Sequence, residues 1–397
     1  MVSFPHTVLQ VVPALNAGGA ERTTADIAQA VVAAGGRALI ASSGGFLENE
    51  IVKNGGEIFT GSYDAKDPIS LWKNARRLCE IISENEVEII HARSRAPAWS
   101  AYIAARNSSI PFVTTHHRGF ALAGPFKNFY NSSLLRGDLV IANSAFTANA
   151  IRASNAINPA KLRSISRGVD LAAFDPDTVS PDRIRAVFAS WGVPGDDVGG
   201  EGESSLRMLL PARLTRWKGH KAAIQAIAAN KSQMRAGNMP KLTLVFCGGA
   251  QGGSSYETSL RALVEKRGVR EMVHFVGECA DMPAAYGWAD VVLSPSVKPE
   301  PFGRAPIEAG AMKKPVIAFD HGGVRETVAH GVTGILVEPG NEGAFARALF
   351  DFAAMSSSDR IEMGARARGR VTERYSVAKM VEATLDAYRD VIAGRNY

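Results

Sequence analysis

Short apolar runs, each closed by turn residues and followed by a helical pattern, recur along the chain, and this alternation constrains the fold more than any other feature. Thr7–Val12 reads as a buried strand, and beyond Pro13 the glycines Gly18 and Gly19 open a helical pattern through Ile27, Val31 and Val32. Strand Ala38–Ala41, helix Leu71–Ile82, strand Ile89–Ala92, helix Trp99–Ala105, strand Phe112–Thr115 and strand Asp138–Ser144 continue it. Strands that alternate with helices predict an α/β fold with a parallel sheet covered on both faces. From Val193 to Ser205 the chain turns Gly-, Asp- and Glu-rich, a composition that builds no core and predicts a mobile loop. Strands at Leu206–Leu210, Leu242–Phe246 and Val273–Gly277, with a helix over Asp281–Tyr286, begin a second run of the same alternation. A chain of 397 residues exceeds one core, so two domains are expected, 1–180 and 181–376. The last helical pattern is Val377–Ile392.

The stretch with most chemistry is Glu300-Pro301-Phe302-Gly303-Arg304-Ala305-Pro306-Ile307-Glu308. It follows the apolar strand Ala289–Ser294, so it reads as strand, Pro/Gly loop, then a helix opening near Gly303. A helix start leaves N–H groups unpaired and carries partial positive charge, which suits a diphosphate. Glu300 falls in the loop and Glu308 about two turns into the helix. A carboxylate repels phosphate, so these two are expected to accept hydrogen bonds from neutral hydroxyls, which sugars and riboses supply. A loop with a solvated acidic face is the structural alternative.

Glu-x7-Glu with Pro-Phe-Gly after the first Glu resembles the signature of GT4, the retaining glycosyltransferases of the GT-B fold. Three further segments resemble that family: Val113-Thr114-Thr115-His116-His117, Arg213-Leu214-Thr215-Arg216-Trp217-Lys218-Gly219, and Gly168-Val169-Asp170 through Pro176. The departures are Arg118 and Ala212, each in place of the family's glycine. The resemblance implies two doubly wound Rossmann-like domains facing across a cleft. The first would be the acceptor domain, with helix 377–397 packing back on it, and the second the donor domain. It further implies transfer of a sugar from a nucleotide diphosphate sugar to a glycan or lipid-linked acceptor, with retention. By the same resemblance the catalytic residues are His117, Arg213, Lys218 and Glu300, with Arg216 as a further cation. Donor contacts are implied for Gly18, Gly19, Val276, Gly277, Phe302, Gly303, Arg304 and Glu308, and acceptor-side places for His116, Arg118 and Phe120. In this reading cations and amides meet the charge of the departing nucleoside diphosphate, so neither metal nor other cofactor is expected.

Between Phe120 and Arg136, aromatic and basic residues interleave. Such a segment lies at a membrane interface, lines an acceptor groove, or packs on its own domain. The net charge of +6 suits anionic substrates or an anionic membrane surface without choosing between them. Cys79, Cys247 and Cys279 show no metal spacing and point to a reducing compartment. With no secretory leader and no long apolar run, a cytoplasmic place is expected, with peripheral contact at the inner membrane. Lipopolysaccharide, glycolipid or exopolysaccharide synthesis is the implied setting, and no nucleic acid is expected as partner. A non-catalytic nucleotide-sugar binder and an epimerase or phosphorylase on the same fold are the rival readings.

Overall fold

The computed structural model describes residues 3–16, 18–117, 125–154, 157–193, 205–250 and 255–394. The predicted loop over 193–205 therefore lies almost wholly outside the described residues, as do Arg118 and Phe120. Two compact units are formed, one from residues 1–167 with 377–397 and one from 168–376.

The first unit holds strands β1 (Thr7–Val11), β2 (Arg37–Ser42), β3 (Glu57–Thr60), β4 (Ile89–Ala92), β5 (Phe112–His116), β6 (Leu139–Ala142) and β7 (Leu162–Ser164). All pair in parallel, in the order β3-β2-β1-β4-β5-β6-β7. The central strands are buried at nearly every position because helices cover both faces, so no solvent-facing side is left to alternate. The helix Gly19–Ala33 packs against the last helix, Val377–Ile392, through a shared core that includes Ile27, Val31, Met380, Leu385 and Tyr388.

The second unit holds β8 (Leu206–Pro211), β9 (Leu242–Cys247), β10 (Val273–Gly277), β11 (Val291–Ser294), β12 (Val316–Phe319) and β13 (Gly334–Val337), parallel in the order β10-β9-β8-β11-β12-β13. Each sheet thus reverses its winding once, between β1 and β4 and between β8 and β11. In open α/β sheets ligands bind beyond the carboxyl ends of the strands at that reversal.

The division falls after Arg167, not near 180. Val169 donates its amide to Tyr375 O at 2.8 Å and is buried with Phe302, Ile307, Ala311 and Val371, and Arg368 donates to Phe174 O at 2.6 Å. These contacts tie 168–179 to the second unit, although the change of composition that marks a boundary in the sequence comes later. No described helix is long and apolar enough to cross a membrane.

Candidate functional site

In the second unit, two loops leave the sheet at its reversal, one after β8 and one after β11. Leu214 anchors the first by donating its amide to Gly249 O at 3.0 Å. The short turn Arg216–Lys218 then closes on Gly219, whose φ of 82° is left-handed. A Cβ at Gly219 would stand 1.7 Å from Pro295 O, and Val297 donates to Trp217 O at 2.8 Å. Only glycine lets the two loops approach this closely.

That approach brings Lys218 Nζ to 2.8 Å from Glu300 Oε1, with the side chains 19% and 11% exposed. Trp217 lies against the ammonium, its ring centre 4.4 Å away. Ser296 Oγ donates to the same carboxylate oxygen. Ser296 O in turn accepts from His321 Nε2 at 2.6 Å, and Glu300 O accepts from Gly323 N at 2.8 Å. Glu300 is therefore held from three sides and reaches a cation, not open solvent. Arg213 is exposed and makes no ion pair among the described residues, whereas the Arg216 guanidinium stacks on Tyr256 at 5.3 Å.

The helix Arg304–Ala311 starts from Gly303, at φ 85°, with no side chain capping its first turn. Its leading amides are free for a ligand. Glu308 stands four residues after Arg304, one turn into the helix and not two. Its two oxygens are engaged, Oε1 by Arg304 Nη2 at 2.8 Å and Oε2 by Tyr286 Oη at 2.9 Å. Burial, and then the Glu308 carboxylate, push the Tyr286 phenol well above its usual range, so it stays a donor.

Phe302 departs from expectation. The residue is 2% exposed and its ring packs edge-on against Tyr375 at 5.8 Å, so it belongs to the core. Val276 packs in the core with Trp288, and Gly277, at φ 73°, takes the Gly248 amide on its carbonyl at 2.7 Å. Both sit on edge strand β10, two strands from β8 in the sheet.

In the first unit, Gly18 caps the helix Gly19–Ala33 without a side-chain bond. The Glu21 carboxylate lies over Gly18, 2.1 Å from where a Cβ would be. That carboxylate must swing aside before phosphate can approach these glycines. His116 is the last residue of β5, paired with Ala142 and 6% exposed, so it is enclosed in the sheet. His117 follows the strand, and its Nδ1 accepts from Arg167 Nη2 at 3.0 Å. Burial first, then the charges of Arg167 and Arg93, hold its pKa well below 6.5, so the ring is neutral with its proton on Nε2.

The described part of the aromatic segment packs on its own domain. Trp99 stacks on Phe129 at 4.9 Å and donates Nε1–H to Tyr130 O at 3.2 Å, and Arg136 lies 4.9 Å over the Trp99 ring. Sequence reasoning missed Ser296, Tyr286 and Arg167, which touch Glu300, Glu308 and His117, and His321, which bonds Ser296. A polar or titratable residue just after a strand is the signal for Ser296 and His321. None marks Tyr286, which lies on another helix from Glu308.

The model of the family described as Glycosyl transferases group 1 matches residues 197–370, and that of Glycosyltransferase Family 4 matches residues 17–173. Among solved structures, a glycosyltransferase from Rickettsia africae ESF-5 is 31% identical, with a TM-score of 0.87 over 98% of this chain and 99% of that one. Anabaena Alr3699/HepE in complex with UDP and glucose is 24% identical with a TM-score of 0.79 over 96% and 99%, a likeness of fold. The D-inositol 3-phosphate glycosyltransferase of Jonesia denitrificans is 31% identical over 272 residues, 63% of this chain and 59% of that protein, so the match spans less than two thirds of its length. With its two parallel, doubly wound sheets and these matches across both units, the chain belongs to the group 1 glycosyl transferases of glycosyltransferase family 4, on the GT-B fold.

Proposed function

We propose that the protein transfers a hexosyl group, with retention and without a metal ion, from a nucleoside diphosphate sugar to a glycan or lipid-linked hydroxyl. The observation that carries this reading is the Lys218–Glu300 pair at 2.8 Å, set at the sheet reversal with exposed Arg213 and the uncapped start of helix Arg304–Ala311. Departure of a nucleoside diphosphate gathers negative charge on its phosphates. Lys218, Arg213 and the first amides of that helix are cationic or dipolar groups fixed in advance, and such groups lower the barrier most where water is excluded. That UDP and glucose occupy the Anabaena relative supports a nucleotide-sugar donor.

Glu300 and Glu308 take the hydroxyl-binding roles. Glu300 has Oε2 left for a sugar hydroxyl, and Glu308 exchanges its Arg304 or Tyr286 bond for a ribose hydroxyl. In the first unit, neutral His117 offers Nε2–H as a donor to a substrate oxygen and not as a base. No enzymic general base is assigned, and the donor's own phosphate takes the acceptor proton. A helix stripe of exposed Ile69 and Trp72 with Lys73 and Arg76 supports peripheral contact with an anionic membrane, in keeping with a lipid-linked acceptor in lipopolysaccharide, glycolipid or exopolysaccharide synthesis.

The test is turnover of nucleotide sugars by the purified chain with and without chelator. Lys218→Ala is expected to lower turnover about 10²–10³-fold, the cost of one donor to a developing anion. Near-normal turnover would refute the role of Lys218, and full loss on chelation would refute metal independence. Anomeric inversion in the product would refute retention, and sugar isomerisation with no acceptor present would point to an epimerase.

A further inference from the structure

The carboxyl end of β4 carries a buried charge that the proposed reaction does not use. Every residue of β4 is buried, and Arg93, which follows it at the sheet reversal, is 2% exposed. Removing a guanidinium from water costs several kcal/mol, roughly, unless an anion compensates it. Among the described residues no carboxylate forms an ion pair with Arg93. Asp26, whose charge reaches it, is bonded to Arg22 at 2.8 Å.

The surrounding groups hold Arg93 without neutralising it. Its Nε donates to Gln10 Oε1 at 2.7 Å, and Gln10, wholly buried on β1, is set by its own amide bond to Thr24 O at 3.1 Å. Tyr388 lies beside the guanidinium and is bonded to His91 Nδ1 at 2.6 Å, while His91 Nε2 meets Thr115 Oγ1 at 2.7 Å. A buried polar layer thus fixes a cation whose Nη2 has no hydrogen-bond partner.

Arg93, His117 and Arg167 line one cavity of about 20 Å³, together with Thr23, Thr115 and Asn143. Because Arg167 can only donate, His117 Nδ1 accepts and Nε2 carries the proton. That N–H is buried, turned toward the Arg93 carbonyl without reaching hydrogen-bond geometry, and also unsatisfied. Two buried donors, one of them on the Arg93 guanidinium, therefore face a space that no acid among the described residues lines. Its volume admits about one water-sized atom. A water molecule would satisfy the hydrogen bonds but leave the charge uncompensated.

We propose that this pocket receives one oxygen of an anionic group, phosphate or carboxylate, carried by the acceptor. The donor's diphosphate has its own cations, Arg213 and Lys218, in the second unit. Assignment to the acceptor rests on the function proposed above, whereas the anion chemistry does not.

Thermal unfolding of the full chain in sodium phosphate, sodium acetate and sodium chloride at matched ionic strength tests it, with UDP measured in parallel. Phosphate at ten times its Kd should raise Tm by about 3 °C over chloride. Lys218→Ala should keep that shift and Arg93→Met should lose it. Without anion, Arg93→Met should unfold no lower than wild type, because an apolar chain replaces an uncompensated buried charge. Arg93→Lys keeps the charge and should keep part of the shift, so it serves if Arg93→Met fails to fold. No phosphate or acetate shift in wild type, or a shift that survives in Arg93→Met, overturns the pocket. Loss of the UDP shift along with the phosphate shift in Arg93→Met would assign the pocket to the donor and overturn its assignment to the acceptor. Absence of a UDP shift in wild type would count against the proposed function and leave the phosphate comparison standing.

Discussion

Replacing Glu300 by Gln removes one charge from the Lys218 pair and little else. The amide keeps the size of the side chain and can still accept from Ser296 Oγ. At 2.8 Å the Coulomb attraction is about 6 kcal/mol for an effective dielectric of ~20. Desolvation of two ions that are 19% and 11% exposed cancels much of it. Removing one partner, however, strands the other cation, so a net loss of about 2–3 kcal/mol is expected. For a unit of this size that lowers Tm by roughly 5–8 °C. The same change frees Lys218 for the diphosphate. Glu300→Gln should therefore bind UDP as tightly as wild type or tighter, and UDP should restore more stability to the variant than to wild type. Its turnover should fall, since a sugar hydroxyl loses an anionic acceptor. Differential scanning fluorimetry and UDP titration read both effects. A variant as stable as wild type that binds UDP more weakly would refute the claim that Glu300 holds Lys218 in reserve.

Gly219→Ala is expected to destabilise the second unit by more than about 3 kcal/mol, because a left-handed φ adds strain to a contact of 1.7 Å with Pro295 O. Unfolding within 1 °C of wild type would show that the loop relaxes freely. Cys279 is expected to alkylate faster than Cys79, with half-maximal rate near pH 7. The neighbouring Cys247 thiol, by hydrogen bonding, is the largest cause that lowers its pKa from 9.0 to about 7. Since the folded pKa is the lower one, this group stabilises the fold fully above pH 9 and loses that contribution as pH falls through 7. A profile centred near pH 9, or one unchanged in Cys247→Ala, would contradict the thiol contact.

Much of the architecture was legible from local pattern. Strands Ile89–Ala92 and Val273–Gly277 and helix Val377–Ile392 appear at the bounds that their residues predict, because apolar runs, turn residues and helical period are properties of neighbours in the chain. β3 and β7, edge strands only partly buried, carry no such run and give no signal. The segment 168–179 follows Val169 and Phe174 into the second unit, a packing choice invisible to composition. Phe302 was read with its motif, yet its ring belongs to the core.

Sequence alone determined the class of fold, the two loops that bear Arg213, Lys218 and Glu300, and the helix that bears Glu308, since strand period, glycine turns and motif spacing act over a few residues. Tertiary structure decided what those groups touch. Lys218 and Glu300 are 82 residues apart in sequence, and His91 meets Tyr388 across 297. Such pairs form only once the strands of a sheet align and the helices pack on them. Whether a cation is exposed like Arg213, paired like Lys218 or buried like Arg93 depends on that packing, because burial and the nearest opposite charge are set by the whole unit and not by adjacent residues.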